Sequence, residues 1–129
     1  MIIDSSAVIS IMQQESDAAA MSDAIAGASI KRMGTPSFLE ICMVITGRRA
    51  SGAIEGLDIF IQEAGIELIS FTPEAARIAA QAFLQYGTGR HPAGLNFGDC
   101  ISYAMAKTEV MPLLFKGNDF RLTDIEAAL

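Results

Sequence analysis

Two runs of this chain are apolar at every position, Met1-Ile2-Ile3 at one end and Leu113-Leu114-Phe115 near the other. A strand with one face in water alternates polar and apolar residues. A strand apolar throughout must be covered on both faces, which is the situation of a parallel sheet flanked by helices. Residues 31–35 and 66–71 read as two further strands, and apolar residues recur at helical spacing in the stretches between. Four strands linked by helices predict a three-layer α/β/α sandwich with a short, mostly parallel sheet. The 129 residues, 51% of them apolar, suit a single domain over residues 1–129 with a substantial core.

Local signals place the helices. Asp4, Ser5 and Ser6 end the first strand ahead of a helix expected over 7–13, and a second helix is expected over 16–27. The second strand stops at Pro36, and Ser37-Phe38-Leu39-Glu40 leads into an apolar helix ending near Gly47 or Ala50. Arg48 and Arg49 would be charges at that helix's C-terminal end. Ile54, Leu57, Phe60, Ile61 and Ala64 mark another helix, with Gly65 as its C-cap. Thr72 as N-cap before Pro73 signals a helix start, with the helix running over 75–86. Residues 87–98 form the longest loop, of a length usually functional or mobile, and residues 99–110 form the next helix.

A formal net charge of −6 argues against a broad basic surface for nucleic acid. If the protein handles nucleic acid, a divalent cation must supply positive charge, and a cation site requires clustered acids. Cys42 and Cys100 lack metal-ligand spacing and read as reduced core thiols, as in a cytoplasmic protein. The chain opens without a signal-peptide pattern, and its apolar runs are too short to span a bilayer, so the expectation is a cytoplasmic protein with no membrane partner.

In doubly wound sheets, ligands bind beyond the carboxyl ends of the strands. Asp4 ends the first strand, Glu40 falls in the first helical turn after the second, and Asp119 follows the fourth. Asp99 opens the helix feeding the fourth strand and joins them if the long loop returns the chain to that edge. Each acid alone has a plainer reading. Ser37-x-x-Glu40 has the form of a capping box, and Asp4, Asp99 and Asp119 are good helix caps, worth about 0.5–2 kcal/mol each. Together on one rim, however, the four would repel one another unless a cation sat among them. Mg²⁺ or Mn²⁺ suits such oxygen donors, and metal ions so held promote phosphodiester hydrolysis. Helix N-termini would add positive partial charge for a substrate phosphate.

Other residues carry less. His91, the only histidine, reads as a surface loop residue, since metal-assisted hydrolysis needs no imidazole base. Lys116 lies beside the acidic rim, where substrate or Asp119 would engage it equally well. The glycines of the 87–98 loop lack the order of a phosphate-cradling loop. A phosphatase of the haloacid-dehalogenase type needs a second Asp two residues after Asp4, where Ser6 stands, and a receiver domain needs an Asp after the third strand, where Phe71-Thr72-Pro73 stands.

Four blocks in order carry a family resemblance. Met1-Ile2-Ile3-Asp4-Ser5-Ser6-Ala7, Thr35-Pro36-Ser37-Phe38-Leu39-Glu40, Leu95-Asn96-Phe97-Gly98-Asp99-Cys100 and Leu114-Phe115-Lys116-Gly117-Asn118-Asp119-Phe120 resemble the four motifs of the PIN domain. The last two resemble those of VapC toxins, the ribonuclease halves of type II toxin–antitoxin pairs. The resemblance implies an RNA-cleaving enzyme whose Mg²⁺ or Mn²⁺ site is formed by Asp4, Glu40, Asp99 and Asp119. It also implies support from Ser6, orientation of the fourth acid by Asn118, a homodimer, and a cognate antitoxin whose C-terminal segment enters the site. Family members often add a fifth strand; with only residues 121–129 remaining, that edge strand is expected to be short or missing. The rival from another class is a non-catalytic PIN-fold module that grips RNA or a protein without cutting.

Overall fold

The two wholly apolar runs lie side by side in the computed structural model, which describes residues 1–48 and 52–129, without the side chain of Arg48. They form β1 (Ile2–Ile3) and β4 (Leu113–Leu114), paired in parallel with Ile2 opposite Leu113 and Ile3 opposite Leu114. All four residues are fully buried. β2 (Arg32–Gly34) flanks β1 on its other side, and β3 (Glu67–Ile69) flanks β2, giving the all-parallel order β3-β2-β1-β4.

Because successive side chains in a strand point to opposite faces, two-residue strands suffice to seed two cores. Ile2 and Leu113 pack with residues of α5 (Pro73–Tyr86) and α6 (Phe97–Glu109). Ile3 and Leu114 pack on the opposite face with α1 (Ser5–Met12), α2 (Ala18–Gly27), α3 (Thr35–Arg48) and α4 (Ala53–Ala64). The result is the expected α/β/α sandwich. Cys42 and Cys100 are buried free thiols, one in each core. Among the described residues, no helix is long and apolar enough to cross a membrane.

The helix ends explain where boundaries moved. Gly65 caps α4 at φ 67°, and the Thr72 hydroxyl accepts the Ala75 N–H at 3.2 Å, both as expected. α3, by contrast, begins at Thr35 and runs through Pro36. A proline near a helix start costs nothing there, because its missing N–H would have no partner in the first turn. α6 begins at Phe97 because Asn96 caps it. The second and third strands are shorter than the expected 31–35 and 66–71. The fifth strand is reduced to one parallel bridge, Leu113 to Ala127, held by Leu113 N–H to Glu126 C=O and Ala128 N–H to Leu113 C=O, each 2.9 Å. The helix-end charges expected of Arg48 and Arg49 fall outside the described residues.

The loop between α5 and α6 is closed on itself. Gly87 bridges Leu95, and the Thr88 hydroxyl donates to Gly94 C=O at 2.8 Å. His91 accepts the Ala93 N–H on Nδ1 and meets the Tyr86 ring edge-on at 5.1 Å, so it organises the loop. This loop reverses the chain after α5 and starts α6 near the end of β1, with Asp99 in the first turn of α6.

Candidate active site

Asp4 leaves β1 and is the N-cap of α1. Its carboxylate is buried and held from two helices. Oδ2 accepts the Ser6 backbone N–H at 2.9 Å and the Ser6 hydroxyl at 2.5 Å, while Oδ1 accepts the Ser102 hydroxyl of α6 at 2.5 Å. A carboxylate oxygen has two acceptor positions. Oδ2 is therefore filled, and Oδ1 keeps one position for a further partner. The Ser6 hydroxyl in turn accepts the Lys116 backbone N–H at 3.0 Å, tying the segment after β4 to the same carboxylate.

Glu40 makes no capping box. With α3 starting at Thr35, Ser37 is already inside the helix and buried, 3.5 Å from the Ser102 hydroxyl. Glu40 stands beyond the first turn, and its Oε2 accepts the Ser5 hydroxyl at 2.7 Å. Its carboxyl lies against the first turn of α6. A Cβ on Gly98 would come within 3.0 Å of Oε1 and 3.1 Å of Oε2, so a side chain there would push the carboxylate aside by a few tenths of an ångström.

Asp99 is the third residue of α6 and completes a reciprocal cap with Asn96, the two N–H to side-chain bonds both measuring 2.9 Å. Burial pushes its carboxyl up to about 6 against the lowering effect of the Asn96 amide, and the charges of Asp4, Asp119 and Glu40 add to the rise. Asp99 is therefore not the cap itself, which is Asn96, but the third helical residue that answers it, and it also lines the cavity with Asp4 and Glu40. Asp119 is exposed and opens a 3₁₀ turn, Asp119–Leu122, at the outer side of the group. Asn118 precedes that turn, and its side chain makes no capping bond to it.

Asp4, Ser5, Ser6, Glu40, Asp99 and Lys116 line one cavity of about 280 Å³. Among the described residues, no three of the acids, cysteines or histidine stand close enough to share one cation as they are. Each of the three acids lining the cavity is engaged by a local hydroxyl or amide. In kind, the donor set fits a hard divalent ion: carboxylate and hydroxyl oxygens, with no thiolate or imidazole lining the cavity. Lys116 turns its ammonium to Glu15 and lies 3.9 Å from Asp17, not toward Asp119.

Ser5, Ser102 and Gly98 were not singled out from the sequence. Asp99-x-x-Ser102 places the two on one helix face, a spacing that marks Ser102 as a neighbour of the acids. Ser5 and Gly98 carry no such signal, since their value depends on where Glu40 comes to rest.

The PIN domain family model matches residues 1–126. This chain belongs to the PIN-domain family. Ribonuclease VapC28 of Mycobacterium tuberculosis is 45% identical over 130 residues, covering 100% of this chain and 98% of the relative. Ribonuclease VapC of Mycolicibacterium smegmatis is 43% identical over 127 residues, covering 98% of each. Among solved structures, M. tuberculosis VapC20, described as a toxin cleaving the sarcin–ricin loop, superimposes with TM-score 0.77 at 11% identity, over 96% of this chain and 95% of that one. A toxin–antitoxin complex from Klebsiella pneumoniae gives 0.70 at 15% identity, over 92% and 88%. The two structural matches establish a common fold.

Beside the acids, this PIN domain carries two apolar clefts separated by Phe97, which is 84% exposed. Leu39, Met43 and Ile101 line one, of about 570 Å³; Phe71, Ala79 and Phe83 line the other, of about 480 Å³.

Two predictions follow from this geometry. Because the fold raises the Asp99 carboxyl to about 6, its contribution to stability relative to the unfolded chain is full below about pH 4 and is lost as pH rises through about 6. Asp99→Asn keeps an oxygen for the Asn96 amide and removes that loss. In urea unfolding across this window, the variant's stability relative to wild type should climb with pH and level off above 6; an unchanging difference would contradict the crowding. Gly98→Ala should leave the melting temperature near wild type, because the obstructing atoms end a flexible side chain. Ribonuclease activity should nevertheless fall several-fold as Glu40 is displaced by a few tenths of an ångström, and unchanged activity would argue against Glu40 acting at the site.

Proposed function

We propose that this PIN domain is the endoribonuclease toxin of a type II toxin–antitoxin pair, hydrolysing RNA phosphodiesters at an Mg²⁺ or Mn²⁺ site made by Asp4, Glu40, Asp99 and Asp119. What supports the reading is that Asp4, Glu40 and Asp99, from three separate chain segments, line one cavity, with the charge of Asp119 near enough to act on Asp99. The names of the full-length VapC relatives support the activity and the substrate class.

A bound divalent cation supplies Lewis acidity and neutralises the charge of the scissile phosphate. The chain's own residues prepare for it. Ser6 and Ser102 fix the Asp4 carboxylate with one Oδ1 position left open. Ser5 holds Glu40 against Gly98, and the Asn96 N–H holds the Asp99 carboxylate at the start of α6. The amides at the start of α6 give positive partial charge on the side that an RNA phosphate approaches. Asp119, exposed beside the group, serves at the solvent side.

The clefts on either side of Phe97 are the surface for protein partners in this reading, a second copy in a homodimer and a cognate antitoxin. The antitoxin segment would bring Arg or Lys to the acids and apolar anchors to the clefts. The setting is the cytoplasm, where RNA is at hand and Cys42 and Cys100 stay reduced.

Cleavage of total cellular RNA by antitoxin-free protein, with Mg²⁺, Mn²⁺ or chelator and beside Asp99→Asn, tests the proposal. Discrete products that need the metal and vanish in the variant are expected. A folded sample that binds RNA but cuts none under any condition would favour the binding-module reading.

A further inference from the structure

The geometry points to Lys116 as the residue that receives an RNA phosphate at this site, parked beforehand on Glu15 and Asp17. This inference rests on the ribonuclease reading and extends it to how an acidic protein holds a polyanion. Among the described residues that line the cavity of Asp4, Glu40 and Asp99, Lys116 is the one cation. Its backbone is fixed there: the Lys116 N–H donates to the Ser6 hydroxyl, which donates to Asp4. The root of the side chain is thus two hydrogen bonds from the buried carboxylate.

The far end is held differently. The ammonium pairs with Glu15 and stands 3.9 Å from Asp17. Both acids lie in or beside the connection between α1 and α2, outside the group of four. That connection is itself tethered, since the Ser10 hydroxyl donates to Asp17 and the Glu15 N–H to Ser10 C=O at 3.1 Å. The lysine therefore rests on a firm acceptor at the cavity's rim, while Glu15 also lines the cavity. The Lys116 and Glu15 side chains are 40% and 34% exposed, and ion pairs so open to water are weak. A phosphate is a comparable acceptor for the ammonium, and the four-carbon stem reorients without moving the backbone. Exchange of Glu15 for phosphate lets the lysine offset part of the repulsion between RNA and the acids. With no second cation on the cavity wall among the described residues, the contact should contribute measurably to the site's dependence on salt.

The experiment measures binding of a fluorescently labelled, random-sequence RNA oligonucleotide at several salt concentrations, in the uncleaving Asp99→Asn background. Phosphate contacts are independent of sequence, which makes random RNA the appropriate probe. Lys116→Gln should weaken binding several-fold and reduce the slope of log Kd against log salt by about one, the loss of one phosphate contact. Glu15→Gln, which frees the lysine, should keep the slope and bind as tightly or more tightly. An unaltered slope in Lys116→Gln overturns the proposal, even if the melting temperature drops. So does weakening in Glu15→Gln equal to that in Lys116→Gln, which would make the ion pair structural. Loss of the ribonuclease reading would show separately, as absent metal-dependent cleavage by the protein with Asp99 intact.

Discussion

A buried carboxylate is tolerated only when its charge is met by well-placed donors. In this PIN domain that requirement falls on Asp4, and meeting it draws the site together. Ser6 comes from α1, Ser102 from α6, and Lys116 joins through Ser6 from the segment after β4. Three parts of the chain distant in sequence are fastened to one side chain at the end of β1. The two-residue strands beneath supply the apolar cover that makes the burial possible.

The same groups serve folding and chemistry. Asp4 and Asp99 each complete a helix start, a stabilising role for any acid at an N-terminus. Their helices begin at the sheet's carboxyl edge, so the two caps are brought near each other, and Glu40 follows because Gly98 leaves room for it. Burial, with the charges of Asp4, Asp119 and Glu40 adding to it, raises the Asp99 carboxyl. Capping and crowding are therefore two consequences of one placement. The caps hold these acids in place, and in the proposed reading a divalent cation would offset their mutual repulsion.

Much of this was legible in the sequence. The unbroken apolarity of Met1-Ile2-Ile3 and Leu113-Leu114-Phe115 dictates strands covered on both faces, and the positions of Asp4, Asp99 and Asp119 beside strand ends or helix starts dictate their edge of the sheet. Glu40 was placed at the right edge and given the wrong partner. Pro36 looked like the end of a strand, which made Ser37 the apparent cap, whereas a proline is equally at home in a first helical turn. Ser5, Ser102 and Gly98 escaped notice because hydroxyls and glycines are common, and their meaning comes from contacts 35, 98 and 58 residues away in the chain, respectively, with Glu40, Asp4 and Glu40. Lys116 was rightly placed at the rim, but its pairing with Glu15 depends on the fold of the α1–α2 connection, which no local pattern encodes.

The central claim is that the four acids act as one unit whose repulsion a divalent cation relieves. Thermal unfolding of wild type and Asp4→Asn against increasing Mg²⁺ or Mn²⁺, at constant ionic strength, tests it most directly. A cation bound by the folded chain alone should raise wild-type stability almost in proportion to concentration below Kd and with its logarithm above, reaching about 2.7 kcal/mol at a hundredfold excess over Kd. Asp4→Asn should lose most of that gain. A wild-type melting temperature indifferent to both metals, or a gain undiminished in Asp4→Asn, would contradict the claim.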